Sequence, residues 1–186
     1  NCGAIPDSLI ESELFGHEKG AFTDARDDRP GLVAHAHAGT LFLDEVDALS
    51  PKGQVTLLRF LQDQRYRPLG DPRERASDVR IIAASNASLA RRAETGAFRP
   101  DLLYRLKILF LELPPLRERD GDPVLLAEHF ARACSERFGA PPKTFHPDTL
   151  KWVASHPWPG NVRELENWVY RAVLLADGPV IWPAPV

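Results

Sequence analysis

Gly39-Thr40-Leu41-Phe42-Leu43-Asp44-Glu45 is a short apolar run that ends on two adjacent carboxylates. Its length and composition suit a buried parallel strand. Two further runs of the same kind follow, Val79-Arg80-Ile81-Ile82-Ala83-Ala84 and Lys107-Ile108-Leu109-Phe110-Leu111. Helical patterns lie between them. Ser50 followed by Pro51 is a favoured helix opening, and Val55, Leu57, Leu58 and Leu61 supply an apolar face. Strands that alternate with helices predict an α/β fold with a parallel sheet. Ligands in such folds gather outside the carboxyl ends of the strands, where Asp44 and Glu45 fall. Taken alone, the pair reads more readily as solvated strand-end charge.

The composition changes at Pro114-Pro115-Leu116-Arg117-Glu118-Arg119-Asp120-Gly121. This proline-rich, charged stretch predicts a boundary, with an α/β part over 1–118 and an all-helical part over 119–186. Asp122 is the expected cap of a helix that starts at Pro123, turns Leu126, Phe130, Cys134 and Phe138 inward, and stops at Gly139. A second helix is expected over Pro147 to Ser155. A third should open at Asn161 with Glu164 in a capping-box pattern, its stripe made of Leu165, Trp168, Val169, Ala172 and Val173. Earlier in the chain, Asp71 to Asp78 reads as a polar, turn-rich connection.

The 186 residues carry 23 basic and 26 acidic side chains, a net charge of -3 that argues against neutralising a nucleic-acid backbone as the main task. No apolar run approaches the roughly 18 residues that would suggest a membrane span, so no membrane partner is expected. Cys2 and Cys134 are isolated from each other and from any histidine at ligand spacing. A reducing compartment, the cytoplasm, is the expectation. His35 and His37 are spaced to share a strand face, but without a third ligand they read as packed or solvated imidazoles. The chain has no Met and begins Asn-Cys-Gly, which reads as a piece of a longer protein.

One further stretch carries more. Glu13-Leu-Phe-Gly-His-Glu-Lys-Gly20-Ala21-Phe22-Thr23-Asp24-Ala25 resembles the signature loop of the sigma-54-dependent transcriptional activators, a branch of the AAA+ ATPases. Small residues around Phe22 and Thr23 suit a tight, exposed loop tip. The resemblance extends to about residue 176, and it implies that Gly20 to Ala25 contact the sigma-54 RNA polymerase holoenzyme. It gives Gly39–Glu45 the form of a Walker B segment, with Asp44 holding Mg2+ and Glu45 polarising the water that attacks ATP. Asn1 matches the asparagine that pairs with that glutamate. Ser85 and Asn86 match a polar sensor near the γ-phosphate; a strand-terminating turn is the plainer reading of Asn86. Phe98-Arg99-Pro-Asp101-Leu-Leu-Tyr-Arg105-Leu is similar to the segment that supplies arginine fingers, Arg99 and Arg105 being the matching positions. A surface pair of Arg99 with Asp101 is the alternative.

Trp158-Pro-Gly-Asn-Val-Arg163-Glu-Leu165 looks like the family's second sensor. Local physics agrees, because the first turn of a helix already favours an anion and is a poor place for an arginine without one. A surface ion pair is the other use of Arg163. Fingers offered in trans imply self-association into a ring, usually a hexamer, and promoter or enhancer DNA would be bound by a domain outside this chain. Two departures stand out. The fifth signature position, usually glycine, is Asp24, which should tolerate a left-handed turn at modest cost. No GxxxxGK[ST] phosphate loop occurs in the 186 residues. An AAA+ sheet lacking its first strands and phosphate loop, followed by a small helical lid, is therefore expected, and these residues alone should hold ATP poorly. Two rivals remain: a non-catalytic interaction module on the same fold, and an AAA+ remodeller with another client.

Overall fold

The computed structural model describes residues 1–182, so the last four residues of the expected helical part lie outside the described residues. The chain divides into two units, Asn1–Phe110 and Leu111–Val186. In the first, a 3-10 turn at Cys2–Ala4 leads to α1 (Ile10–Phe15), β1 (Gly16–His17), β2 (Arg29–Pro30), α2 (Leu32–His35) and β3 (Thr40–Leu43). A second 3-10 turn at Val46–Ala48 precedes α3 (Pro51–Asp63), β4 (Arg65–Tyr66), β5 (Arg75–Ala76), β6 (Arg80–Ala83), α4 (Leu89–Glu94) and α5 (Pro100–Leu106).

β3 and β6 pair in parallel, with Thr40 opposite Arg80 and Leu43 opposite Ala83. Leu41 and Leu43 are buried and Phe42 is exposed, so the strand alternates and covers one face only. The third expected strand does not form. Lys107–Leu111 is irregular chain, and Ile108, Leu109, Leu111 and Leu113 are 81 to 88% exposed. Apolar composition suits a strand, but a ladder needs a neighbour's N–H and C=O groups, and among the described residues no strand flanks this segment.

Helix α3 opens as its sequence indicates, the Ser50 hydroxyl accepting from the Gly53 N–H at 3.2 Å with Pro51 in the first turn. Leu57, Leu58 and Phe60 are buried in a core shared with Ile10, Leu14, Val33 and Leu102, while Val55 and Leu61 are half-buried. Gln54 lies on the same buried face. Its Nε2 donates to the carbonyls of Leu49 (2.9 Å) and Ala97 (3.2 Å), and its Oε1 accepts from the Arg99 N–H (2.8 Å). One amide thus ties α3 to the chain entering α5. His35 closes α2 rather than lying on a strand, its Nδ1 2.9 Å from the Gly31 carbonyl, and His37 Nδ1 accepts from the Asp78 N–H. Both backbones leave the extended conformation, so the shared strand face does not exist.

The stretch from Asp71 to Asp78 is more ordered than a plain connection, because β5 returns antiparallel to β4. Asp71 organises the turn. Its side chain is 1% exposed, and it accepts from Arg73 Nε and the Arg73 N–H (3.0 Å each) and from Arg75 Nη2 at 2.8 Å. Hydrogen bonds from Arg73, then from Arg75, hold the Asp71 carboxyl well below the usual carboxylate range.

The second unit opens with a 3-10 turn at Leu116–Glu118 and continues through α6 (Asp122–Phe138), β7 (Thr144–Phe145), α7 (Pro147–Ser155), α8 (Asn161–Leu175) and β8 (Val180–Ile181). β7 and β8 pair in parallel. Asp122 is the first helical residue rather than the cap, a position taken by Gly121 in the left-handed region. The inward face of α6 also differs: Pro123, Ala127, Ala131 and Cys134 are buried, Leu126 and Phe130 are half-buried, and Phe138 is exposed. Small residues at the centre let α6 and α8 approach, and the larger ones flank the contact. α8 buries Leu165, Val169 and Val173. Its opening modifies the capping box, Glu164 Oε2 accepting from the Gly160 N–H at 2.7 Å while Asn161 Oδ1 accepts from the Leu116 N–H at 2.8 Å. Burial pushes both thiols, Cys2 and Cys134, up in pKa and away from reactivity.

Two outcomes check these packing arguments. Gln54→Leu leaves two carbonyls and one N–H without partners, so a loss of about 2–4 kcal/mol is expected. Denaturation should be followed by far-UV circular dichroism, since Trp152, Trp158, Trp168 and Trp182 all lie in the second unit; an unchanged midpoint would refute the role of Gln54. For Asp71, the folded carboxyl is the more acidic, so its contribution is complete above the unfolded value of about 4. It disappears as pH falls through the lower folded value. The stability gap between wild type and Asp71→Asn should therefore be constant from neutral pH to about pH 5 and narrow only in stronger acid.

Candidate functional site

The parallel pair does not stop at its last ladder residue. The Ala84 N–H donates to the Leu43 carbonyl at 2.8 Å, and the Val46 N–H donates to the Ala84 carbonyl at 3.0 Å. Two strand ends are thereby stitched together. Asp44 and Glu45 leave one, and Ser85 and Asn86 leave the other. Glu45 adopts the left-handed region at φ 52 and ψ 47, an uncommon state for a residue with a Cβ that surrounding bonds must hold. Asp44 supplies part of that hold, its Oδ1 accepting from the Glu45 N–H at 3.0 Å, and its carbonyl accepts from the Cys2 N–H at 2.8 Å. Both carboxylates are half-buried.

Asn1 reaches the same place from the chain start. Its Oδ1 accepts from the Ala4 N–H at 3.2 Å and caps the first 3-10 turn. A Cβ added to Gly3 would stand 2.9 Å from Glu45 Oε2 and 3.3 Å from Asn1 Oδ1, so both oxygens converge on that glycine. They do so without a direct hydrogen bond between the two side chains. Asn86 is exposed at the turn after β6.

The arginines are held less tightly. Arg99 forms a fork with Asp101, Nε to Oδ1 at 3.0 Å and Nη2 to Oδ2 at 2.7 Å, and both partners are close to half exposed. Each bond favours the charged pair, lowering the Asp101 pKa and raising that of Arg99. Arg105 donates from Nε to the Leu61 carbonyl (3.1 Å) and from Nη2 to the Gln62 carbonyl (3.2 Å), satisfying the end of α3. In the second unit Arg163 is exposed in the first turn of α8, with no hydrogen bond or ion pair among the described residues.

The signature stretch runs from the end of α1 through β1 into the loop between β1 and β2. Its base is narrow, because a Cβ on Gly31 would lie 2.4 Å from the Gly16 nitrogen. Gly20 turns the chain at φ 84, and the Gly20 N–H donates to the Ala25 carbonyl at 2.8 Å, closing the tip over Ala21 to Asp24. Asp24 does not enter the left-handed region, so the expected strain there does not arise. Thr23 and Asp24 are exposed, Ala25 is buried, and Phe22 is half-buried with its ring edge-on to His17 at 4.9 Å. The β4–β5 hairpin braces the loop: Glu18 N–H donates to the Leu69 carbonyl (2.9 Å), Leu69 N–H to the Gly16 carbonyl (2.9 Å), and Arg73 reaches Glu18 at 3.4 Å.

Sequence reasoning missed Asp47, Gln54, Asp71 and Arg92. Asp47 is buried in the turn after Glu45, with Oδ1 accepting from Ser85 Oγ at 2.8 Å and Oδ2 3.4 Å from Arg92 Nη1. A signal existed for two of them, since Asp47 and Gln54 stand where the apolar pattern around Val46, Leu49, Leu57 and Leu58 leaves little room for a solvated side chain.

Comparison with known proteins shows the family and the fold. The family model described as the sigma-54 interaction domain matches residues 1–112, and that of an AAA+ ATPase lid domain matches 117–185. The chain is 47% identical to the hydrogenase transcriptional regulatory protein HoxA of Cupriavidus necator over 178 residues, covering 96% of this chain and 37% of that protein. It is 47% identical to the C4-dicarboxylate transport transcriptional regulatory protein DctD of Rhizobium meliloti, covering 99% of this chain and 40% of the relative. The chain thus spans less than half the length of these relatives. Among solved structures, NtrX from Brucella abortus superposes with a TM-score of 0.87 at 34% identity, over 97% of this chain and 42% of that one. Hsp104 from S. cerevisiae, at 17% identity and a TM-score of 0.64, shares the fold. The parallel α/β unit with its looped insertion and the helical unit that follows therefore belong to the sigma-54 interaction domain family of AAA+ proteins.

Proposed function

We propose that this chain is the working part of a full-length protein that uses ATP hydrolysis to remodel the sigma-54 RNA polymerase holoenzyme and so activate transcription. One observation carries the reading: the stitched ends of β3 and β6 bring Asp44, Glu45, Ser85 and Asn86 together in the unit that presents Thr23 on an exposed loop. NtrX structures in complex with ATP and with ADP, at TM-scores of 0.85, support nucleotide binding by this fold.

Among the described residues, no group of three or more His, Cys, Asp or Glu gathers to cage a metal. Asp44 fits instead the single-carboxylate donor set of Mg2+, which keeps water and takes phosphate oxygens for its other ligands. Bound Mg2+ and ATP supply the transferable phosphoryl group and the charge that neutralises it. Glu45 orients the attacking water and draws its proton, and the Asn86 amide aligns the same water from the neighbouring strand end. Pairing of Asn1 with Glu45, whose side-chain oxygens converge on Gly3, would set where that carboxylate points. Arg163 offers its charge to phosphate from the start of α8. Arg99 and Arg105 act across a subunit seam in a ring, which requires Arg99 to exchange Asp101 for phosphate. The 186 residues contain no phosphate loop, so nucleotide retention depends on residues outside them, as does binding to promoter or enhancer DNA.

The Arg99–Asp101 fork favours one other reading, a non-catalytic interaction module in which Arg99 is a surface residue. Kinetics of the full-length protein separate the two. Glu45→Ala is expected to retain ATP while turnover falls at least about 100-fold, and Arg99→Ala to lose about 10³-fold or more in turnover with the fold intact. Rates within twofold of wild type in both variants would favour the non-catalytic reading.

A further inference from the structure

The turn that follows Glu45 holds a carboxylate with no place in the mechanism above. Asp47 is 6% exposed and lies two residues beyond the left-handed Glu45. Its two oxygens are divided between two elements. Oδ1 accepts from Ser85 Oγ at 2.8 Å, and Oδ2 faces Arg92 Nη1 of α4 at 3.4 Å. Ser85 Oγ in turn accepts from the Ala87 N–H at 3.2 Å, which folds the chain around Asn86. Arg92 Nε is buried without a partner, so among the described residues Asp47 is the side chain that anchors this guanidinium.

A buried carboxylate retained at such a point has a definite consequence. Desolvation makes its placement unfavourable unless both oxygens are satisfied, so the ion stays only where Ser85 and Arg92 hold their positions, and it fixes theirs in return. Backbone bonds already lock Ala84 to Leu43 and Val46, but they end one residue short of Ser85 and two short of Asn86. Asp47 extends the lock across that gap. We propose that Asp47 is a positioning residue, which through Ser85 sets the orientation of Asn86 relative to Glu45. The inference rests on the ATPase reading for its kinetic consequence, while its structural core stands on the Asp47–Ser85–Arg92 geometry.

The test uses the full-length protein with Asp47→Ala, Ser85→Ala and Ser85→Thr, comparing ATP turnover with amide hydrogen exchange across residues 84–88. Misplacement of a water-aligning group is expected to lower kcat about 10- to 100-fold while KM for ATP moves less than about threefold. That loss should appear in Asp47→Ala and Ser85→Ala, and Ser85→Thr, which keeps the hydroxyl, should recover most of it. Exchange at 84–88 should accelerate in the two alanine variants and not in Ser85→Thr. A purely structural role would lower the melting temperature and leave kcat of the folded protein and the threonine rescue without distinction. Wild-type exchange at 84–88 in Asp47→Ala, or kcat within twofold of wild type, overturns the proposal. If the wild-type protein hydrolyses no ATP, the functional reading falls, and the exchange measurement still decides whether Asp47 holds Ser85.

Discussion

Parallel pairing of Thr40–Leu43 with Arg80–Ala83 is the constraint on which the first unit depends. Parallel strands run in the same direction, so their carboxyl ends arrive together and release their next residues side by side. Neither strand places a charged group correctly by itself. The register opposes Leu43 to Ala83, and the bonds through Ala84 and Val46 carry that register into the turn where Glu45 becomes left-handed. A slip of one residue would send Leu41 and Leu43 to the open face and separate the carboxylates from Ser85 and Asn86. Burial of those two leucines against the α3 core thus fixes the geometry of four polar residues beyond the strand ends.

The loop is linked to this arrangement through few intermediates. Its returning strand, β2, leads into the single-turn helix α2, and the chain then enters β3 and reaches Asp44. Ser77 reinforces the link, its hydroxyl donating to the Val33 carbonyl at 3.1 Å and so joining α2 to the approach to β6. The hairpin organised by Asp71 supports the loop base through Leu69 and Arg73. Lys19, Gly20, Thr23, Asp24 and residues 26–30 are exposed, while Ala25 is buried and the base is bonded to the hairpin. A bonded base under an exposed tip suits the contact element proposed above. Asp24 adds a charge at the tip and no backbone strain.

Much of this was legible in the residues. The strand ending on Asp44 and Glu45, the Ser50–Pro51 opening of α3 and the span of α7 lie where local chemistry puts them, because each is decided within one turn or one ladder. The failures share a cause. Lys107–Leu111 has the composition of a strand, yet composition does not provide a neighbour. The face of α6 is set by the closeness of α8 and not by which residues are largest, so Ala127 and Ala131 displace Phe138. Asp47 and Gln54 escaped notice because their partners, Ser85 and Ala97 among them, come from other elements. The sigma-54 contact proposed for the loop comes from resemblance; its residues alone describe a tight turn.

We propose that chemistry at the ends of β3 and β6 controls whether the Gly20–Ala25 loop engages sigma-54. Capture of sigma-54 holoenzyme by the full-length protein, measured with ADP–aluminium fluoride and with ADP alone, tests it most directly. The account requires retention with the transition-state mimic, little with ADP, and loss of the mimic-dependent retention in Thr23→Ala. Equal capture in both nucleotide states, or full retention by Thr23→Ala, would contradict it.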